Sequence, residues 1–420
     1  FYSWRSLYWR LLLPDIDLGT SKKINTIISS SAAKAIIKEQ CEALPPVVLP
    51  IKQAMGTVLA EDIYAPVDIP CYPQSSMDGY AFSYAGWKQG EPLDLYGEMA
   101  AGSNQTIELI PGKAVRIFTG AAVPPGADTV VIQEKIRLEG DELHIADPEL
   151  KAGDNVRPVG SEISKNALAL EKGTLLTAPG IGFLAGIGLA EVKVYPKPRV
   201  AIIVTGNELQ EPGKPLEYGQ VYESNSASLT AALEALLIRD IQLYRVADNL
   251  NSLSATLATA LEQSDLVLLT GGISVGDYDF TLKATLECGI ETIFHKIKQK
   301  PGKPILFGKQ GQKPVFGLPG NPASVMTCFY EYVLVAIGEL QHRNLTLRKR
   351  NAILANTVKK PAGPTHYLKG YADGEKVMSL EGQESYKLNS FARANCLIML
   401  PEECTQAGPG DAVEIHILPF

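Results

Sequence analysis

The chain has 420 residues, 45% hydrophobic and 20% charged, with a formal net charge of −7. That length predicts several domains with separate cores, and the composition excludes collagen-like and low-complexity classes. The negative charge excludes a general nucleic-acid binder, which needs a broad basic surface, but leaves room for a small anion in a locally basic pocket.

Residues 1–24 form an N-terminal segment of uncertain role, rich in aromatic residues and leucine. The chain starts with Phe1 rather than Met, and no clear cleavage site follows the short apolar run, so an incomplete start is favoured over a targeting segment. Residues 30–42 have helical apolar spacing, and 47–63 lead into a Pro-rich stretch at 65–73. From 77 to 144 the pattern becomes short β-rich runs (114–118, 129–133, 136–138) separated by Gly and Pro turns, which predicts a small β domain. Residues 159–197 mix Gly with apolar residues and end at the connector Tyr195-Pro196-Lys197-Pro198.

Beyond the connector, 199–205 reads as a buried strand, 226–237 as a helix behind an Asn225 cap, and 241–246 as a strand. Helix 253–262, strand 265–270, a Gly-rich loop and helix 280–287 follow. This alternation predicts a parallel sheet covered by helices on both faces. Strand 315–317 then meets a long helix, 323–340, opened by Asn321 and Pro322. After Arg343 alternating strands return, as in 394–400 and 412–418, which predicts an all-β tail.

No apolar run approaches the length needed to span a bilayer. The six cysteines lie far apart with no CxxC pair, the pattern of reduced thiols in a cytoplasmic protein.

In an open parallel sheet, ligands bind beyond the carboxyl ends of the strands. Four loops at such ends are chemically loaded: Gly206-Asn207-Glu208, Ala247-Asp248-Asn249, the run from Gly271 to Asp279, and Gly317-Leu318-Pro319-Gly320-Asn321-Pro322. Within the third, Gly271, Gly272, Ser274, Gly276 and Asp277 are candidates for binding substrate. Glycines let the backbone N–H groups approach an oxyanion, and a helix start adds its positive end. They also simply permit tight turns, and for either Gly-rich loop alone the two readings weigh equally.

Glu208, Asp248, Asp277 and Asp279 would gather oxygen ligands suited to Mg²⁺, although each is also a plausible loop carboxylate or cap. Lys300 and Lys303 lie on a stiff Pro-Gly-Pro turn that suits delivery of positive charge to an anion. There is no GxxxxGK[ST] or GxGxxG pattern, and the histidines (144, 295, 342, 366, 416) are scattered without a nucleophile motif. Electrostatic and metal-assisted chemistry fits better than covalent catalysis.

The run Ser76-Met77-Asp78-Gly79-Tyr80-Ala81 occurs with Thr119-Gly120-Ala121-Ala122-Val123-Pro124, Thr205-Gly206-Asn207-Glu208-Leu209, the Gly271 loop, the lysine turn and the Gly317 loop. In this order they resemble the molybdopterin molybdenumtransferase family, which includes the C-terminal domain of gephyrin. The resemblance covers roughly residues 24 to 418.

It implies an elongated multidomain α/β homodimer with a central parallel-sheet molybdopterin-binding domain (198–343). Around this would lie a discontinuous linker and dimerisation domain (25–65 with 158–197), a β-rich domain (66–157) and a C-terminal β domain (344–420). It also implies insertion of molybdate into adenylated molybdopterin with release of AMP, assisted by Mg²⁺, at a site completed across the dimer interface. By motif, Glu208, Asp248 and Asp279 are expected to organise the cation and substrate. Pro319, Gly320, Asn321 and Pro322 would shape the anion loop, and Asp78 and Thr119 would come from the partner subunit. Glu162 stands where the family commonly carries Asp, a longer side chain of the same charge. Expected partners are the adenylylating enzyme and acceptor apo-molybdoenzymes, with no nucleic acid and no membrane. The alternatives are a gephyrin-like scaffold and a molybdopterin adenylyltransferase.

Overall fold

The computed structural model describes residues 27–271 and 280–419. The chain divides into two units, Val47–Val194 and a larger one in which the chain before it joins the chain from Tyr195 onward.

In the larger unit, β1 (Val200–Thr205), β2 (Ile241–Val246), β3 (Leu266–Thr270), β4 (Glu291–Lys296), β5 (Pro304–Gln310) and β6 (Lys313–Leu318) form one sheet in the order β2-β1-β3-β6-β5-β4. Strand β1 is an unbroken apolar run because both its faces are covered. Val200, Ile202 and Val204 join one core cluster with Leu229 and Leu233, while Ala201 and Ile203 join another with Leu253 and Leu257. The covering helices are α1 (Ser30–Gln40), α2 (Asn225–Ala235), α3 (Leu250–Gln263), α4 (Phe280–Glu287) and α5 (Pro322–Leu340).

The sheet is mixed, not all-parallel as the alternation suggested. Strands β2, β1, β3 and β6 are parallel, but β5 pairs antiparallel with β6 on one side and with β4 on the other. The physical reason lies in the turn: β5 ends at Gln310 and β6 begins at Lys313, with Gly311 at φ 60 between them. A two-residue hairpin needs no crossover helix, so this end of the sheet escapes the strand-helix alternation.

One further expectation is corrected. Helix α1, assigned from the sequence to the linker domain, buries Ala33 and Ile37 in the same cluster as β1 and α5, so its apolar stripe belongs to the larger unit. The tail packs against the α/β sheet, with Leu347, Tyr367, Phe391 and Leu397 entering that cluster too. In the tail, Thr365–Asp373, Lys376–Ser379, Arg348–Leu354, Ala412–Ile417 and Cys396–Leu400 pair in succession, and the last pairs back with the first to close a ring. Gln299–Lys300 joins that ring in parallel, with Lys300 opposite His366.

Helix α5 is long and apolar enough to cross a membrane, but it is almost wholly buried as the core helix of this unit. Its middle turn, Phe329–Val333, is π-helical. In the smaller unit, a six-stranded sheet runs in the order Thr129–Ile132, Gly79–Phe82, Lys113–Ile117, Leu93–Met99, Glu142–Ile145, Ile136–Glu139. Val47–Pro50 pairs with Glu191–Tyr195, and Ile63–Tyr64 with Leu168–Leu170, so the start and end of this unit's chain pair side by side.

Candidate active site

The carboxyl ends of β1, β3 and β6 open into a cleft of about 730 Å³, lined among others by Glu208, Asn225, Lys300, Lys303, Gly320 and Tyr386. The turn after each strand is set locally. Gly271 follows β3 at φ +92, and a Cβ there would meet the carbonyl oxygen of Thr205 at 2.0 Å. That glycine is required for close backbone approach between adjacent strands, so the turn reading explains it. Gly320 is the opposite case: a Cβ would find nothing within 4 Å, so its absence leaves room in the cleft rather than relieving a clash.

Pro319, Gly320, Asn321 and Pro322 all line the cleft. Asn321 holds the N-cap position of α5 but makes no cap hydrogen bond. Its Nδ2 donates to Ser385 Oγ at 2.8 Å instead. Ala323 N donates to the Ser385 carbonyl at 3.0 Å, so one amide of this helix start is already engaged. Lys300 and Lys303 are exposed, line the cleft, and pair with no carboxylate among the described residues.

Of the acids, Glu208 lines the cleft and is exposed. Asp248 follows β2 and accepts a hydrogen bond from Thr205 Oγ1 at 3.3 Å, while its N–H donates to Asn207 Oδ1 at 3.1 Å. Neither is ion-paired with a described cation. Gly272, Ser274, Gly276, Asp277 and Asp279 lie outside the described residues. Among the described residues no group of three or more acidic, His or Cys side chains is gathered at metal-binding distance. The two carboxylates are oxygen donors of the kind Mg²⁺ takes, and on their own they leave most of its coordination sphere to other ligands.

In the smaller unit, Asp78 Oδ1 accepts from both the N–H (2.7 Å) and the hydroxyl (2.8 Å) of Thr119. These bonds, the backbone one foremost, hold the carboxyl below its ordinary range, with Arg116 adding to the effect. Glu162 lines a separate hollow with Cys71, Gln74 and Arg157. Gln74 bridges the two places, accepting from Arg157 at 3.2 Å and donating to the carbonyl of Gly120, beside Thr119, at 3.2 Å.

Three features escaped the sequence reading. Asn225 does not cap α2; Glu223 does that work, accepting from Ser226 N at 2.8 Å and pairing with its hydroxyl. Asn225 Nδ2 instead ties Thr270 to the Gly320 carbonyl, at 2.9 Å each, while its buried Oδ1 finds no partner among the described residues. The third is the tail, which the sequence left without a site residue but which supplies Gln383, Ser385 and Tyr386 to the cleft. Lys369 fixes that loop, donating to the carbonyls of Gly382, Glu384 and Lys387 at 2.6, 3.2 and 2.9 Å. Burial pulls its pKa down to about 8. A lysine followed by glycine on a tail strand carried no local signal for this.

Glycine turns at the ends of parallel strands, with two lysines that pair with no carboxylate among the described residues and an exposed glutamate, define a protein that binds an anionic small molecule at a sheet edge. Family models match in order: MoeA N-terminal region (domain I and II) over 28–188, probable molybdopterin binding domain over 201–339, and MoeA C-terminal region (domain IV) over 351–418. The chain is 36% identical to the molybdopterin molybdenumtransferase of Haemophilus influenzae, covering 88% of this chain and 93% of that one. It is 36% identical to that of Nostoc sp., covering 87% of each. A molybdopterin biosynthesis moea protein from Pyrococcus horikosii superimposes with a TM-score of 0.78 at 30% identity, over 93% of this chain and 99% of that one. The chain belongs to the molybdopterin molybdenumtransferase family, enzymes of molybdenum cofactor biosynthesis.

Proposed function

We propose that the enzyme inserts molybdate into adenylated molybdopterin, cleaving the pterin–AMP phosphoanhydride and releasing AMP. The observation that carries this is the cleft itself, where Lys300 and Lys303 join the Gly320 turn in the lining and form no ion pair with a carboxylate among the described residues. A substrate with a phosphoanhydride supplies that charge, and its flat ring systems suit a wall carrying Tyr386. Asn225, which also lines the cleft, holds the Gly320 carbonyl at 2.9 Å and so fixes the turn beside the ligand.

Glu208 and Asp248, with Asp279, are the carboxylates we assign to a divalent cation. Mg²⁺ bound there supplies charge neutralisation of the phosphoanhydride. Lys300 and Lys303 orient the phosphates, Pro319 and Pro322 fix the loop that leaves room for them, and Gly271 keeps the adjoining turn tight. Asp78 and Thr119 are proposed to complete the site from the other protomer of a homodimer, with Glu162 supporting them through the Gln74 bridge. The protein is proposed to work in the cytoplasm, receiving substrate from the adenylylating enzyme and passing product to apo-molybdoenzymes.

The test is incubation of purified protein with adenylated molybdopterin, Mg²⁺ and molybdate, following AMP release and reconstitution of a molybdenum-free apo-enzyme. Both signals, each dependent on molybdate, are expected. Tight binding without either signal would overturn the assignment in favour of a scaffold.

A further inference from the structure

The lysine turn is held from beneath by one side chain, Gln299, which is 2% exposed. Its Nε2 donates to the carbonyls of Pro301 at 2.9 Å and Gly302 at 3.3 Å, the two residues between Lys300 and Lys303. Gly302 has no room for a side chain, since a Cβ there would meet Cys328 Sγ of α5 at 2.5 Å. With both amide protons committed, Gln299 Oε1 can only accept, and it is bonded to Tyr332 OH in the π-helical turn of α5.

This fixes the direction of a buried chain. Tyr332 has one hydroxyl proton and spends it on Gln299, so Ser30 Oγ, 2.8 Å away, must donate to Tyr332. Ser30 has then used its own proton, so Tyr367 OH, 2.6 Å from it, must donate to Ser30. The series therefore runs in one donor direction, from the tail strand through α1 and α5 to the turn. Beneath it Glu331 is paired with Lys34 and with His416 Nδ1 at 2.6 Å. The Lys34 ammonium lies 5.7 and 5.6 Å from the Tyr332 and Tyr367 rings. Burial raises both tyrosine pKa values, so the protons stay on the hydroxyls.

We propose that Gln299, oriented by Tyr332, is a positioning residue that sets the geometry of Lys300 and Lys303 toward the bound anion. The inference rests on the reading that these lysines hold the substrate. Its logic is directional: removing the Tyr332 hydroxyl frees the Gln299 amide to rotate, whereas removing the Ser30 hydroxyl leaves the Tyr332 to Gln299 bond in place.

The experiment compares full-length Tyr332→Phe, Ser30→Ala and Lys300→Ala/Lys303→Ala for affinity toward adenylated molybdopterin, for KM and kcat, and for melting temperature. Tyr332→Phe is expected to raise Kd and KM about tenfold, the order set by one lost buried hydrogen bond, with kcat little changed. Ser30→Ala is expected to bind as the parent does, although it too breaks a buried link, so instability alone predicts the same result for both. In the double-lysine background Tyr332→Phe should add no further loss of affinity. If Tyr332→Phe folds poorly, Gln299→Met/Tyr332→Phe removes both buried partners together, and the same rise in KM is expected.

Parent-like binding by the Tyr332 variants, with the lysine variant weak, would overturn the positioning role and leave the lysines in the site. Parent-like binding by the lysine variant itself would overturn the reading of the turn and the inference with it. Equal weakening by Ser30→Ala and Tyr332→Phe would reduce the chain to a purely structural network.

Discussion

Thr119 donates to one oxygen of Asp78 twice, through its N–H at 2.7 Å and its hydroxyl at 2.8 Å, leaving the other carboxylate oxygen open. Both bonds favour the ionised form, so Asp78 stays charged as pH falls below the ordinary carboxylate range. Asp78→Asn should retain the fold, since the side chain lies at a turn outside the core, while losing most of the insertion activity. Circular dichroism with the AMP-release assay checks this; activity near the parent's would remove Asp78 from the site.

Gly271→Ala and Gly320→Ala should separate the two uses of glycine. The first pushes a methyl into the Thr205 carbonyl at a positive φ and should cost about 3 kcal/mol or more of stability. The second meets nothing and should change stability by about 0.5 kcal/mol at most, while substrate affinity falls. Urea denaturation read beside ligand titration distinguishes them.

His366 should impose an acid-side slope on stability. Burial first, then repulsion from Lys360 and Lys300, lower its pKa from 6.5 to about 4. Between those values the unfolded chain binds a proton that the folded chain refuses, so stability falls as pH drops from 6.5 toward 4 and is flat above 6.5. His366→Phe should flatten that window in a pH series of melting temperatures; an unchanged slope would assign it to another group.

Glu331 should be costly to neutralise. It is 2% exposed and held between the half-buried Lys34 and the buried His416, so Glu331→Gln breaks a buried charge pair and should cost about 3–5 kcal/mol. Despite burial, which acts the other way, Lys34 and His416 keep the Glu331 pKa below 4.5. Its contribution is therefore present above pH 4.5 and lost as pH falls through the lower folded value. Calorimetry of the variant at pH 7 checks the magnitude, and a loss under 1 kcal/mol would contradict the pairing as described.

How much of this was legible in the sequence depended on whether the determining forces were local. Ile241–Val246 and Phe280–Glu287 fall where apolar patterning puts them. Strands Glu291–Lys296 and Pro304–Gln310 went unread because the two-residue hairpin interrupts the alternation on which the reading leaned. The long helix was legible, its π turn was not, since nothing in Phe-Tyr-Glu-Tyr-Val distinguishes that turn from α-helix before Glu331 meets its partners. Glu331, set among apolar residues in mid-helix, was a signal the sequence reading did not use. The cleft residues Lys300 and Gly320 were read from their motifs, whereas Tyr386 reaches the site, on a loop held by Lys369, only through tertiary packing of the tail.

The strand Gln299–Lys300 pairs with the tail ring, and Pro304 already belongs to the α/β sheet. Within six residues the polypeptide is stitched into two separate hydrogen-bonded systems, with Lys300 at the last stitch of one and Lys303 in the span before the other. The tail is therefore no detachable module. Cutting the chain near Arg343 would leave one end of that span untethered and the larger unit's core uncovered, so loss of the tail and loss of the anion site should be a single cooperative event.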